Sequence, residues 1–357
     1  MKNKLMILLP NLGMGGTERM VSRLSNDFVK QGVEVVIVLM AQKPKFYKIN
    51  EEIKIIEPDN IYNRTLLSPL STILFIRKQI IKEKPEAVLC MGYILYGIIA
   101  SLFIKVRLYI SWRRSPFRVR FPRSKLLNTI YNSLHAILSF RVNGLIAQTK
   151  IAKNYYEHKY NCDIEVIPNY VDKVSEEKKS ERKKYIMNVG RFIPSKNQLG
   201  LLKIFKSVST SNSWNLYFLG DGEMKKEAQK EAKKSSKESH IHFLGDTKDV
   251  NIWYNKSAIF AFTSTSEGFP NALAEAMAAG CACISFDCIA GPSDLIDDGI
   301  NGFLIPVGDY TMYKKKLEIL MNNGNLRLSF GQAAMKKMKQ FNPHEISKRY
   351  LDFMFKS

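Results

Sequence analysis

No stretch of this 357-residue chain supplies the ~20 consecutive apolar residues that a membrane-spanning helix needs. Ile94 to Ile104 comes closest, and Lys105 and Arg107 stop it. The chain is therefore expected not to cross a membrane. The opening Met1-Lys2-Asn3-Lys4 with Leu5 to Leu9 lacks the length of a signal peptide, since Pro10 and a polar, glycine-rich loop end the apolar run. It reads as a first buried strand. Cysteines are few and odd in number, at 90, 162, 281, 283 and 288, which fits reduced thiols in a cytoplasm rather than a disulfide framework. Cys281-Ala-Cys283 has no histidine nearby and sits in an apolar run, so it reads as core rather than as a metal or redox pair. No repeat, coiled-coil or low-complexity pattern occurs. Acidic residues are missing altogether between Glu86 and Glu157.

Hydrophobic residues make up 45% and charged residues 24%, the balance of a globular chain with sizeable cores. Single cores stop growing near ~250 residues, so the length predicts two lobes. Net charge is +21, and residues 1–180 carry 29 Lys and Arg against 15 Asp and Glu. The first half is the basic half, and its surface suits an anionic partner.

Short apolar runs alternate with helical patterns, which argues for parallel sheets wrapped by helices. The first series is Leu5–Leu9, Val33–Met40, Ala87–Cys90, Leu108–Ser111 and Leu145–Ala147. A Lys-, Glu- and Ser-rich linker is expected over 172–184. A second series follows at Tyr185–Val189, Leu216–Leu219, Ile241–Leu244, Ile259–Phe262, Ala282–Phe286 and Phe303–Ile305. The expected organisation is a Rossmann-like domain over 1–171, a second over 185–340, and a helix over 341–357 packing back toward the first. Ligands of such folds sit at the carboxyl ends of the strands.

Three segments stand at those ends. After the first strand comes Asn11-Leu12-Gly13-Met14-Gly15-Gly16-Thr17-Glu18 and then a helix, an arrangement that lets backbone amides approach a phosphate. A dinucleotide fingerprint would need glycine where Glu18 stands and an acid where Met40-Ala41-Gln42 stands, which excludes a dehydrogenase. A plain glycine turn remains the other reading. The second lobe opens with Gly190-Arg191-Phe192-Ile193-Pro194-Ser195-Lys196-Asn197, a guanidinium and an ammonium suited to a diphosphate or else simply solvated. The third segment runs from Thr263 to Gly280. Pro270 suits the first position of a helix reaching Ala279, so the amides of Asn271, Ala272 and Leu273 are expected to face an anion. Glu267 in the loop and Glu275 in the helix can accept hydrogen bonds from sugar and ribose hydroxyls.

On these residues the chain resembles the family-4 retaining glycosyltransferases of the GT-B type, in which two doubly wound α/β domains face each other across a cleft. Glu267 and Glu275, seven residues between them, resemble that family's signature; Gly190-Arg191 with Lys196 resembles its diphosphate clamp; Gly15-Gly16-Thr17-Glu18 resembles its amino-terminal loop. The resemblance implies that Arg191 and Lys196 bind the donor diphosphate, with Gly15 or Gly16 closing from the opposite lobe. It places Glu275 on the ribose and Glu267, as a catalytic residue, on the transferred sugar. Phe269, Asn271, Ala272, Leu273 and Leu244 join the donor-binding set, His242 to Asp246 lies where relatives hold the base, and Asp221 is a weaker candidate. Many relatives carry a histidine after the strand ending at Ile110-Ser111; here the chain reads Trp112-Arg113-Arg114, so Arg113 is the catalytic candidate for that role. No Asp-x-Asp triplet occurs, so the reading needs neither a metal nor another cofactor. The donor is expected to be a UDP-sugar.

Arg113 to Lys125 interleaves cations with aromatic and apolar residues. This suits an anionic membrane surface, with Arg114, Phe117, Arg118, Arg120, Arg123 and Lys125 facing it. The acceptor is then a polyprenyl-diphosphate-linked saccharide, as in capsule or O-antigen assembly, and the protein is expected to be peripheral on the inner face of the cell membrane. The rivals are a basic nucleic-acid-binding protein, although no nucleic-acid motif accompanies the segment, a donor-binding scaffold without turnover, and a merely solvated basic face.

Overall fold

The computed structural model describes residues 3–355 except 14, 59–68, 114, 118–120, 122, 172–181, 210–212 and 248. It divides into two compact units, residues 1–170 with 343–357, and residues 171–342.

The first unit is built on seven parallel strands: β1 (Lys4–Leu9), β2 (Glu34–Leu39), β3 (Lys54–Ile56), β4 (Ala87–Cys90), β5 (Arg107–Ser111), β6 (Gly144–Ala147) and β7 (Asp163–Val166). Their order is β3-β2-β1-β4-β5-β6-β7. Leu5 to Leu9 are wholly buried because helices cover both faces of a parallel sheet, which is why this strand is continuously apolar. The helices Gly16–Lys30 and Pro343–Phe355 cover one face. Phe28 and Tyr350 meet there at 6.2 Å, and Tyr109 Oη donates to the Met354 carbonyl at 3.1 Å. Pro69–Glu83, Ile94–Ala100 and Lys150–Glu157 cover the other. β3 and β7, absent from the sequence reading, are the edge strands; no residue of β3 and only Ile164 of β7 is buried, so neither leaves a clear apolar run.

The second unit has six parallel strands: β8 (Lys183–Val189), β9 (Asn215–Leu219), β10 (Ile241–Gly245), β11 (Ser257–Phe262), β12 (Ala282–Phe286) and β13 (Gly302–Ile305), ordered β10-β9-β8-β11-β12-β13. All six apolar runs of the sequence become strands. β8 starts at Lys183, inside the segment that reads as linker, because the preceding Arg182 is already anchored. Its guanidinium donates to the carbonyls of Tyr254 at 2.7 Å and Ser257 at 2.6 Å, and to that of Ala279. Each such charged bond contributes ~1.5–3 kcal/mol.

In both sheets the order reverses at the middle, between β1 and β4 and between β8 and β11. Loops leaving such a pair splay to opposite faces and open a crevice at the carboxyl ends. The three motif segments all leave these switch-point strands.

Candidate active site

In the second unit the loop after β8 is pinned from below. Gln198, buried, donates Nε2 to the carbonyls of Gly190 at 3.3 Å and Arg191 at 3.1 Å. The Arg191 side chain is thereby left exposed, and no acidic group forms an ion pair with it among the described residues. Behind the loop lie Gly220 and Gly222, where a Cβ would run into the Gly190 carbonyl and the Phe192 backbone. Pro194–Lys196 forms one 3₁₀ turn, closed by Asn197 in the left-handed region at φ 53°.

The loop after β11 is stitched to that turn. Thr265 N donates to the Ser195 carbonyl at 2.8 Å, and Thr263 Oγ1 to that of Asn197 at 3.1 Å. These bonds carry Glu267 to Lys196, with Oε1 and Nζ 2.5 Å apart and the Glu267 side chain 10% exposed. About one turn along the helix Asn271–Ala278, Glu275 accepts from Tyr254 Oη at 3.1 Å; Tyr254 is fully buried and holds the carboxylate in place. Arg191, Lys196 and Glu267 thus lie in loops, and Glu275 in a helix, that follow the adjacent strands β8 and β11. Neither Gln198 nor Tyr254 carries a sequence signal, because each acts through a single long-range bond.

Several expectations are corrected. Pro270 is not the first helical residue but the cap before it, with ψ 72°. The Asn271 amide does not face outward for an anion: it donates to the Phe269 carbonyl at 3.0 Å, so Ala272 and Leu273 offer the open amides of the first turn. The Phe269 ring is buried against Phe341, 6.5 Å between centroids, which leaves only its backbone to a ligand. His242 does not follow a strand: it is the second residue of β10, bonded to Asn215 Oδ1 at 2.9 Å and stacked on Tyr217 at 4.5 Å. It therefore sits at the amino end of the sheet, and burial lowers its pKa. Leu244, half-exposed near the carboxyl end of β10, stays with the candidates. Asp221 is spent on its own turn, accepting from Gly222 N and Lys225 Nζ, both at 2.7 Å.

In the first unit Gly15 caps the helix Gly16–Lys30. Its carbonyl accepts from Arg19 N at 2.9 Å and Tyr47 Oη at 3.2 Å, and Glu18 folds back over it. Arg113 does not hang free as a catalytic cation. Its guanidinium donates to Asn169 Oδ1 and, at 3.3 Å, to Tyr350 Oη. Burial lowers its pKa.

Of the expected membrane-facing residues, Arg114, Arg118 and Arg120 lie outside the described residues. Phe117 is exposed, edge-on to Tyr155 at 5.0 Å, and Arg123 and Lys125 are exposed. The helix that follows, Lys125–Ile137, buries only His135 and leaves Leu126 70% and Ile137 68% exposed, with Leu127, Ile130 and Leu134 between them. Their spacing at 126, 130, 134 and 137 is a helical stripe that the sequence displays beside the cations. No described helix is long and apolar enough to cross a membrane.

Two family models match in tandem: Glycosyltransferase Family 4 over residues 14–174 and Glycosyl transferases group 1 over residues 172–337. The chain is 25% identical to the amylovoran biosynthesis glycosyltransferase AmsD of Erwinia amylovora, over 98% of this chain and 99% of that one. It is also 25% identical to a Campylobacter jejuni α-1,4-N-acetyl-D-galactosaminyltransferase named for a diphospho-undecaprenol-linked glycan, over 98% and 97%. The fold matches S. aureus TarM, crystallised with UDP, at a TM-score of 0.80 and 14% identity, over 99% of this chain and 100% of that one. With both matched segments carrying their motif loops at switch-point strands, the chain belongs to the family-4 glycosyltransferases of the GT-B fold.

Proposed function

We propose that the protein transfers a hexose or N-acetylhexosamine from a UDP-sugar to a polyprenyl-diphosphate-linked saccharide in bacterial surface-glycan synthesis, with retention of configuration and without a metal. The observation that carries this is that Lys196 meets Glu267 in loops following the adjacent strands β8 and β11, whose following segments also carry Arg191 and Glu275. Cleavage of a glycosyl phosphate builds negative charge on the leaving diphosphate and positive charge on the sugar. Fixed cations and the amides of Ala272 and Leu273 stabilise the first, and the Glu267 carboxylate faces the second. Arg191 offers a forked guanidinium for two phosphate oxygens, and Lys196 a compact charge beside it. These two cations do what a bridging metal does elsewhere. Glu275, steadied by Tyr254, accepts hydrogen bonds from the ribose hydroxyls. Retention follows if the acceptor attacks the face from which UDP departs, with the leaving phosphate taking the acceptor proton.

The names of the Erwinia and Campylobacter relatives support a surface or lipid-linked glycan as product. A peripheral seat on an anionic membrane is supported by the exposed apolar stripe of Lys125–Ile137 next to a segment without acids. The test is UDP release from a panel of UDP-sugars with undecaprenyl-diphosphate-linked glycans, with EDTA present and the product anomer assigned by NMR. Transfer that survives EDTA with an α-configured product is expected; no turnover with any donor, or an inverted product, overturns the reading. Binding of duplex DNA in preference to UDP-sugars at physiological salt would favour the nucleic-acid rival.

A further inference from the structure

At the carboxyl ends of β5, β6 and β7 the first unit holds a polar network that the reaction above does not employ. β5 leads to Arg113, β6 to Gln148, and β7 to Asn169 and Tyr170. Asn169 Oδ1 accepts from the Arg113 guanidinium and, at 2.8 Å, from Gln148 Nε2, so the three residues form one chain of bonds. Tyr170 stands close to Arg113, Arg19 and Arg23, with Asp27 the acidic group near it. Three buried atoms here have no hydrogen-bond partner among the described residues: Arg113 Nε, Gln148 Oε1 and Tyr170 Oη. Gln148 is 4% exposed and Tyr170 8%. An unmade buried bond costs ~1–3 kcal/mol, so three at one place mark a site that something else completes. Arg113 adds a charge argument. It is desolvated, and no carboxylate among the described residues pairs with it. Buried charges are normally paired.

We propose that Arg113, Gln148 and Tyr170 form a binding site for a phosphate ester that carries a neighbouring hydroxyl, the chemistry of a glycosyl phosphate or diphosphate. The phosphate oxygens accept from Arg113 Nε and Tyr170 Oη, while the hydroxyl donates to Gln148 Oε1. The set of two donors and one acceptor explains why a bare anion would leave Gln148 unsatisfied. The site deepens the acceptor reading above and rests on it only for the source of the phosphate. Arg113 then acts in the first unit on a substrate phosphate, rather than replacing a histidine beside the donor sugar.

The test is calorimetric titration of the full chain with glucose 1-phosphate, with and without saturating UDP, on wild type, Arg113→Lys, Gln148→Leu and Tyr170→Phe. Tyr170→Phe removes one oxygen and keeps the ring, so it tests the site even if the arginine variant fails to fold. Binding that weakens ~10-fold or more in Tyr170→Phe, with UDP affinity unchanged, is expected. If UDP leaves this binding intact, the phosphate is the acceptor's; if UDP abolishes it and Tyr170→Phe weakens UDP too, the phosphate is the donor's. Equal affinity in all four proteins, or no binding at ~10 mM ligand, overturns the site. Loss of UDP binding with Tyr170-dependent glucose 1-phosphate binding would instead overturn the donor reading and leave this site standing.

Discussion

Lys196 and Glu267, 71 residues apart, meet with Nζ 2.5 Å from Oε1 at the carboxyl end of the second sheet. Under the proposed function, a diphosphate at Lys196 competes with Glu267 for the ammonium and turns the carboxylate toward the sugar. Glu267→Gln is therefore expected to lower transfer by ~10²-fold or more, as for loss of a group aimed at transition-state charge. Steady-state UDP release measures it, and a retained rate would remove Glu267 from the mechanism. Lys196→Met alone leaves a largely buried carboxylate unpaired, so its thermal midpoint should fall further than that of Lys196→Met with Glu267→Leu.

Arg191 differs from Lys196 in being exposed and having no acidic partner among the described residues. Its removal costs the fold little and the donor much. Arg191→Gln should keep its melting temperature while weakening UDP ~10-fold or more, read by calorimetry. A large drop in stability would mean that the side chain is structural.

Gly220, at φ +125°, lies against the Gly190 carbonyl. A methyl there must displace the backbone that presents Arg191. Gly220→Ala is expected to cost ~2 kcal/mol or more in denaturant titration and to weaken UDP in step. Full donor affinity in a destabilised variant would separate the two roles.

His242 supplies a pH dependence. Burial first, and His240 second, hold its pKa below 6.5, so the folded state takes up the proton less readily than the unfolded chain. Stability should then rise with pH between the depressed value and 6.5, be complete above 6.5, and fall away in acid. His242→Phe keeps a ring against Tyr217 and should flatten the melting temperature across that window. An unchanged slope would assign the dependence to other groups.

Leu126, Ile130 and Ile137 project from a helix with one buried side chain. Replacing all three by Gln should leave melting unchanged and reduce sedimentation with phosphatidylglycerol vesicles at least as much as replacing Arg123 and Lys125 does, since ~1 kcal/mol accompanies each basic residue near such a surface. Unaltered vesicle binding would place the membrane contact elsewhere.

The central strands were legible because a strand covered on both faces must be apolar along its whole length, as Leu5–Leu9 and Ala282–Phe286 are. The position of the motif loops was legible for a related reason: each directly follows such a run, and β1, β8 and β11 are the strands it follows. β3 and β7 were not, since an edge strand is half solvated and resembles a loop. His242 misled because the motif reading puts it after a strand, whereas β10, Ile241–Gly245, takes it in near its amino end.

By itself the sequence determined two parallel α/β units and the placement of the motif loops after their strands, because hydrophobic periodicity and turn chemistry act over a few residues. Only the tertiary structure decided that Lys196 meets Glu267, that Tyr254 steadies Glu275, that the Asn271 amide is already spent, and that Arg113 is drawn into the network of Gln148 and Asn169. Each of these is a short-range force between groups distant along the chain or turned by one local bond, and its partner exists only once the sheets have assembled.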